Sequence, residues 1–221
     1  MELSPDEIII GQLGPITLNA TLVFSWLVMA LLVGASWLIT RNLSTDTKMS
    51  RWQNVLETLV SFLRGQVRDI TQKDADRYLP FIATLFLFIS VSNLLDIVPG
   101  YESPTGSLST AAALAVCVFF AVPIFGIAER GVFGYLRNYI EPTPFMLPFN
   151  IISEFSRTLA LAIRLFGNMM SGRILIAIML SIIPLLVPTV LQVLGLVIGQ
   201  IQAYIFAILA TVYIASSASE S

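Results

Sequence analysis

Long apolar runs with few charges are the feature that most limits what this chain can fold into. Residues 16–40 carry no charged side chain, and a helix of that length crosses a hydrocarbon core of roughly 30 Å. Over the whole chain 56% of residues are apolar and 12% are charged, unlike a soluble domain. The sequence therefore predicts one all-α membrane domain over residues 1–221, with five transmembrane helices at 16–40, 78–97, 108–128, 148–183 and 189–215.

The segment between the first two runs has apolar residues at three- and four-residue spacing, namely Trp52, Val55, Leu56, Leu59, Leu63, Val67 and Ile70. Its other face carries the charged residues Arg51, Glu57, Arg64 and Arg68. This pattern predicts an amphipathic interfacial helix over residues 50–70 that lies in the membrane surface. The alternative is a soluble helix packed on a partner.

Basic residues indicate how the chain is oriented. They follow the first and third predicted spans, whereas the N-terminal segment and the loop around Glu102 contain none. Because cytoplasmic loops are enriched in lysine and arginine, the N-terminus is predicted to lie outside and the C-terminus in the cytoplasm. The predicted location is a bacterial inner (plasma) membrane, with an organelle membrane as the alternative.

Charge and composition exclude several function classes. The chain has 12 basic and 14 acidic residues, a balance that argues against nucleic acid as a partner, because binding it requires neutralising phosphates. It has one cysteine and no histidine, so neither a thiolate metal cluster nor a histidine proton carrier is available. No metal and no cofactor are predicted.

The run at 148–183 is unusual in length and in its polar residues. At 1.5 Å per residue a continuous helix here is about 54 Å long, so it must either break or tilt strongly. Its polar residues share one helical face, within about 40° of Arg164, with Glu154 about 80° away. That polar face consists of Ser153, Arg157, Arg164, Asn168 and Ser171.

Arg164 is the central feature of this polar face. Burying an arginine at the bilayer centre costs roughly 2.5 to 3.5 kcal/mol on insertion scales, so such a residue normally faces a cavity or a partner. Arginine does not deprotonate, and a carboxylate within about 4 to 6 Å of it has its pKa lowered by roughly 1 to 3 units. The pattern indicates a fixed counter-charge awaiting a carboxylate. The alternative is a structural arginine bonded to carbonyls inside the bundle.

Two further features concern the residues that can pair with the polar face of the run at 148–183. Glu154 is about 15 Å of helix rise from Arg164 and is expected to pair with Arg157 instead. On the last run, Gln192, Gly195, Gly199 and Gln202 share a face, and the G-x-x-x-G pair permits close helix approach. Gln202 either bonds a charged group or joins two helices, and Tyr213 is typical of an interface anchor.

Three sets of residues together resemble subunit a of the F-type ATP synthase: R-L-F-G-N at 164–168, I-Q-A-Y-I-F at 201–206 followed by T-V-Y-I at 211–214, and S-N-L-L-D-I-V-P at 92–99. The resemblance implies that Arg164 faces the essential carboxylates of a rotating ring of c subunits, with Asn168 and Gln202 also in the ion-translocation site. Two half-channels are implied, with predicted lining residues Asn93, Asp96, Glu154, Arg157, Ser107, Ser171, Gln192 and Tyr213.

The same resemblance implies the assembly. The last two spans form a long tilted hairpin against the c-ring, and peripheral-stalk b subunits, other membrane-sector subunits and lipid are the remaining partners. The chain is then a non-catalytic stator subunit, and it has no phosphate-binding G-x-x-x-x-G-K-[ST] motif. The proton is the predicted coupling ion, with sodium as the alternative. A rival of another class is a stand-alone permease whose carboxylate substrate binds Arg164.

Several positions depart from the family pattern. Arg173 stands where many members have glutamate, Gly195 where many have histidine or an acid, and Ser107 and Ser109 where aspartate and asparagine are frequent. These changes remove titratable groups, which leaves the choice between proton and sodium open. Arg173, about 180° around the helix from Arg164, is expected either to snorkel toward headgroups or to pair with Glu102 or a neighbouring subunit.

Overall fold

A computed structural model describes residues 9–13, 16–41, 51–72, 75–98, 100–140, 145, 147–183 and 186–218. Within these residues the chain forms a two-stranded hairpin and six α-helices. The strands are β1 (Ile9–Leu13) and β2 (Ile16–Asn19). The helices are α1 (Ala20–Thr40), α2 (Arg51–Thr71), α3 (Leu79–Leu95), α4 (Leu108–Ile140), α5 (Leu147–Ile182) and α6 (Leu186–Ala218).

The membrane character of the helices agrees with the sequence prediction. Among the described residues, four helices are long and apolar enough to cross a membrane: α1, the Leu108–Tyr135 part of α4, α5, and the Val187–Ser217 part of α6. Helix α3 is apolar but has only 17 residues, about 25 Å of helix. A helical multi-pass protein is therefore confirmed, and the fifth span stays a prediction.

The start of the chain differs from the all-α prediction. Residues 16–19, predicted as the beginning of the first span, form strand β2, which pairs antiparallel with β1 from Leu13 opposite Ile16 to Ile9 opposite Asn19. Isoleucine and threonine favour extended backbone, and the glycine and proline between the strands in sequence are frequent turn residues. The first helix therefore begins at Ala20.

The third span was predicted to end near residue 128, and the regular helix from Leu108 breaks three residues later, at Gly131. Helical structure continues to Ile140, with a sharp kink at Gly131, whose φ is 74° and ψ is 167°. Glycine adopts such positive φ values without the penalty of a Cβ. The chain therefore changes direction at Gly131 and resumes a helix instead of forming the predicted loop.

The other boundaries are close to the predictions. The amphipathic helix runs over 51–71 instead of 50–70, and residue 50 lies outside the described residues. Helix α3 spans 79–95 instead of 78–97, and α6 spans 186–218 instead of 189–215. Helix α5 covers 147–182 without interruption, so of the two alternatives for this long run, break or tilt, the break is not seen.

Helices α3, α4 and α6, together with residues 161–165 of α5, form the core, and α2 packs against it. Alanines such as Ala111, Ala203 and Ala210 are buried where these helices meet, because small side chains let helices approach closely. From α2, Leu63 and Val67 are buried. Helices α1 and α5, in contrast, have only 6% of their most apolar stretch buried. Their apolar surfaces are left for lipid or a partner.

Candidate functional site: an exposed arginine beside a polar cavity

Arg164 lies on the outward face of α5. Its side chain is exposed, whereas Leu161 and Leu165, on the other face of the same turn, are buried. Among the described residues Arg164 has no hydrogen-bond or ion-pair partner. The alternative of a structural arginine bonded to carbonyls within the bundle is therefore not seen. The other members of the predicted polar face are also exposed: Ser153, Arg157, Asn168 and Ser171.

Asn168, one helical turn after Arg164, connects α5 to α6. Its Nδ2 donates a hydrogen bond of 2.8 Å to Oε1 of Gln202. Gln202 is only 2% exposed, and its Nε2 has no hydrogen-bond partner among the described residues. A buried donor without an acceptor is costly. The pair therefore leaves the NH2 group of Gln202, with its two N–H donors, buried inside the bundle one helical turn beyond Arg164.

A cavity of about 360 Å³ opens beside this pair, between α3, α5 and α6. At roughly 30 Å³ per water, it has room for about a dozen molecules. Its polar wall brings together six of the residues singled out in the sequence: Asn93, Asp96, Asn168, Ser171, Arg173 and Gln192. The rest of the wall is glycine and apolar side chains. Residues from three helices thus line one space, which reaches Asn168, one helical turn after Arg164.

Arg173 holds two carboxylates at the far end of this cavity. Its Nη1 donates to Oε2 of Glu102 at 2.8 Å, and its Nη2 donates to Oδ1 of Asp96 at 3.1 Å. The carbonyl oxygen of Ser103 lies 3.5 Å from Nη2. Gly106 gives the guanidinium room, since a Cβ there would lie 3.0 Å from Cζ. Of the expectations for Arg173, pairing with Glu102 is confirmed, and the pairing with Asp96 is an addition.

Asn93 is buried at the centre of a second network. Its Nδ2 donates to the carbonyl oxygen of Gly199 at 2.8 Å, and its Oδ1 accepts from Oγ1 of Thr105 at 2.7 Å. A Cβ on Gly199 would lie 3.1 Å from the Cβ of Asn93. The close helix approach predicted from the glycine pair is therefore confirmed at Gly199, and the approaching helix is α3. Gly195 instead faces the cavity.

Other predicted lining residues lie elsewhere. Among the described residues the cavity wall does not include Ser107, which is buried directly before α4 and accepts a hydrogen bond of 3.2 Å from the backbone N–H of Ser109. Arg157 lies seven residues before Arg164, and its guanidinium carbon is 5.6 Å from the ring centre of Tyr213. Glu154 is half-buried one turn earlier. Along α5, Arg164 therefore lies between two sets of polar residues: those that line the cavity and those around Arg157.

The connection between α3 and α4 is ordered around the cavity by residues that the sequence analysis missed. Ser103 and Thr105 share a hydrogen bond of 2.7 Å between their hydroxyl groups. Tyr101 packs edge-on against Phe24 of α1, with ring centres 4.8 Å apart. Burial, and to a smaller extent the negative charge of Asp96, raise the pKa of Tyr101 to about 12. The only sequence signal was the run S-P-T-G after Glu102, which looks like an ordinary turn.

Comparisons with known proteins agree on one family. Residues 22–215 match the family described as ATP synthase A chain. ATP synthase subunit a 1 of Crocosphaera subtropica is 62% identical over 98% of this chain and 94% of the relative. ATP synthase subunit a 2 of Acaryochloris marina is 58% identical over 98% and 93%, and ATP synthase subunit a of Albidiferax ferrireducens is 58% identical over 98% and 94%. The chain therefore belongs to the ATP synthase A chain family.

Proposed function

We propose that this chain is the ion-translocating stator subunit of a rotary F-type ATP synthase, and that Arg164 faces the carboxylates of a c-subunit ring. The observation that carries the proposal is the exposed guanidinium of Arg164, without a partner among the described residues, on an apolar helix of a chain in this family. A permanent charge on such a surface needs water or an anionic partner. A ring carboxylate supplies that partner.

The chemistry of Arg164 follows from its fixed charge. A protonated ring carboxyl that comes within about 4 to 6 Å of the guanidinium has its pKa lowered by about 1 to 3 units and releases its proton. The same charge repels a free cation, so an ion is expected to pass Arg164 only when carried by the ring.

Two groups of polar residues on either side of Arg164 are the proposed half-channels. The cavity lined by Asn93, Asp96, Asn168, Ser171 and Gln192 is one. The group around Glu154, Arg157 and Tyr213 is the other. From the distribution of basic residues, the cavity side is assigned to the outside and the Arg157 side to the cytoplasm of a bacterial plasma membrane. Ser107 is proposed to support the outer half-channel only indirectly, through the connection between α3 and α4.

The exposed surface of α5 is the proposed contact with the ring. Its outward side chains alternate polar residues with large apolar ones such as Phe155, Leu159 and Ile163. An uninterrupted helix of 36 residues is too long for an upright span, so we propose that it tilts and follows the ring surface. The apolar surface of α1 is left for the peripheral-stalk b subunits and lipid.

The proton is the proposed coupling ion. A water-filled cavity with amide and hydroxyl groups conducts protons along hydrogen-bonded water and needs no dedicated ligand. Sodium in the same complex is the alternative. The test is ATP-driven uptake into vesicles that hold the intact complex, measured for protons and for sodium, with and without a protonophore. Acidification without sodium, and no sodium uptake, is the expected result. Sodium uptake that persists or rises with the protonophore contradicts the proton assignment.

A separate experiment distinguishes the proposed stator subunit from a stand-alone permease. Purification in mild detergent is expected to retain a ring of small subunits with this chain. A monomer or homo-oligomer that binds a carboxylate substrate, and loses that binding in Arg164→Ala, contradicts the proposed function.

A further inference from the structure

We propose that Arg173 is a positioning residue of the outer half-channel, which holds the carboxylates of Asp96 and Glu102 in place so that ions cross the cavity on neutral groups and water. In this arrangement Asp96 is a fixed counter-ion of Arg173, and it does not carry the ion. The inference deepens the proposed function and rests on it. We use the name Arg173 clamp for Arg173 with Asp96 and Glu102.

The geometry of the Arg173 clamp indicates that both carboxylates serve as ion-pair partners of Arg173. Two nitrogens of one guanidinium bind two different acids, at 2.8 Å and 3.1 Å. The Arg173 side chain is 18% exposed, against 33% for Asp96 and 40% for Glu102, so the cation is the most enclosed of the three. Charge-assisted pairs of this kind are strong and directional. The Asp96 oxygen that is held in this way is not free to accept a hydrogen bond or a proton from the cavity.

The surroundings hold the Arg173 clamp in place. Gly106 leaves the space that the guanidinium occupies, and the carbonyl oxygen of Ser103 lies beside Nη2. The same connection is tied to α3 by the hydrogen bond from Thr105 to Asn93, and Asn93 in turn binds the backbone of α6. Helices α3, α5 and α6 therefore converge on one short segment, and Arg173 is the contribution of α5.

The charge balance gives the Arg173 clamp a functional consequence. The cavity wall contains one carboxylate, Asp96, and one cation, Arg173, so its net charge is zero. Glu102 adds a second carboxylate paired with the same cation, so the Arg173 clamp has a net charge of −1, and without Arg173 this charge would be −2. A cleft lined by one sign of charge concentrates the opposite ion. Removing the cation should therefore change how ion concentration controls the rate, which a purely structural defect does not do.

The test uses the intact complex in vesicles and measures ATP synthesis against coupling-ion concentration on the cavity side, with protons and, in a parallel series, with sodium. In Arg173→Gln, we expect the maximal rate to fall at least about fivefold because two carboxylates lose their counter-ion. The half-saturating concentration should fall about threefold at low ionic strength. The change in the half-saturating concentration should vanish near 1 M choline chloride, where the Debye length is about 3 Å.

Two further variants separate charge from shape. The triple variant Arg173→Gln with Asp96→Asn and Glu102→Gln has no charge in the clamp, against −1 in the parent and −2 in Arg173→Gln, so both rate parameters should move back toward the parent values. Asp96→Asn alone should lower the maximal rate less than Arg173→Gln does, because an amide still accepts a hydrogen bond from Arg173. If Arg173→Gln fails to assemble with the ring, the Asp96→Asn variant still tests whether Asp96 carries the ion.

The contradicting results are distinct. If Asp96→Asn abolishes ATP synthesis in a complex that retains its ring, Asp96 carries the ion and the inference is wrong. If Arg173→Gln leaves the half-saturating concentration unchanged and the triple variant does not recover, Arg173 has only a structural role. If the parent complex itself makes no ATP from any ion gradient, the proposed function fails, and the inference fails with it.

Discussion

Asn168 on α5 and Gln202 on α6 share a hydrogen bond of 2.8 Å, one helical turn beyond Arg164. The two residues are 34 positions apart in the chain, so this bond fixes the register of α5 against α6. Gln202 is buried and Asn168 is exposed. The bond therefore ties the outward face of α5, where Arg164 lies, to the packed interior of the bundle.

This pair leads to a first prediction. Asn168→Ala leaves Oε1 of Gln202 buried without its donor, a change that costs about 1 to 3 kcal/mol. We expect a lower thermal midpoint for release of this chain from the purified complex. The control is Ser181→Ala, an exposed α5 hydroxyl that bonds only the carbonyl oxygen of Ile178 in its own helix. Equal midpoints for the two variants would contradict the importance of the interhelical bond.

The contact between α3 and α6 gives a second prediction. In Gly199→Ala the new methyl group meets Asn93 at 3.1 to 3.3 Å, and overpacking of this kind costs about 1 to 3 kcal/mol. Gly195→Ala is the matched control on the same helix, because nothing lies within 4 Å of its Cβ position. The thermal midpoint of the complex should fall for Gly199→Ala and hold or rise for Gly195→Ala. The reverse order would show that α3 and α6 do not pack as described.

The kink in α4 gives a third prediction. Gly131 has φ of 74° and ψ of 167°, a combination that is essentially restricted to glycine and costs other residues about 1 to 3 kcal/mol. Gly131→Ala is therefore expected to destabilise the complex, although no atom obstructs its Cβ position. Gly34→Ala, also unobstructed but inside the regular helix α1, should have no such effect. The thermal midpoint of the complex is measured for both variants. Equal midpoints would argue against the positive φ at Gly131.

The raised pKa of Tyr101 gives a fourth prediction. Burial favours the neutral phenol in the folded chain, so its pKa rises from 10.0 to about 12. The folded state binds this proton more tightly than the unfolded state, and the stability that results is present below pH 10 and declines as the pH rises toward 12. Tyr101→Phe should flatten the fall of the thermal midpoint over this window. An unchanged slope would mean that Tyr101 is not buried as described.

The sequence predicted the helices well because their signals are local. Apolar runs, the alternating faces of α2 and the polar face of α5 depend only on residues near one another in the chain. The hairpin at residues 9–19 was missed because its second strand continues the apolar run of α1. The continuation of α4 beyond residue 128 was missed because Gly131 and nearby charged residues resemble a loop in sequence.

The candidate site was predictable as a set of residues and not as an arrangement. Asn168, Gln202, Asn93 and Asp96 were all singled out, but their partners depend on how α3, α5 and α6 pack. Arg173 was expected to have Glu102 as one possible partner. Its second bond, to Asp96, follows only once α3 and the connection between α3 and α4 pack against α5 at Arg173. No local pattern in the sequence contains that information.

The central claim is that Arg164 acts on a carboxylate outside this chain. The most direct test is ATP synthesis driven by an imposed ion gradient in vesicles that hold the intact complex. Arg164→Ala should retain the ring and lose at least about 100-fold of the rate, within the range set by a pKa change of about 1 to 3 units. Arg68→Ala, an exposed arginine on α2, is the control and should remain within about twofold of the parent rate, as expected for an exposed surface substitution. If Arg164→Ala synthesises ATP as fast as Arg68→Ala, the account is contradicted.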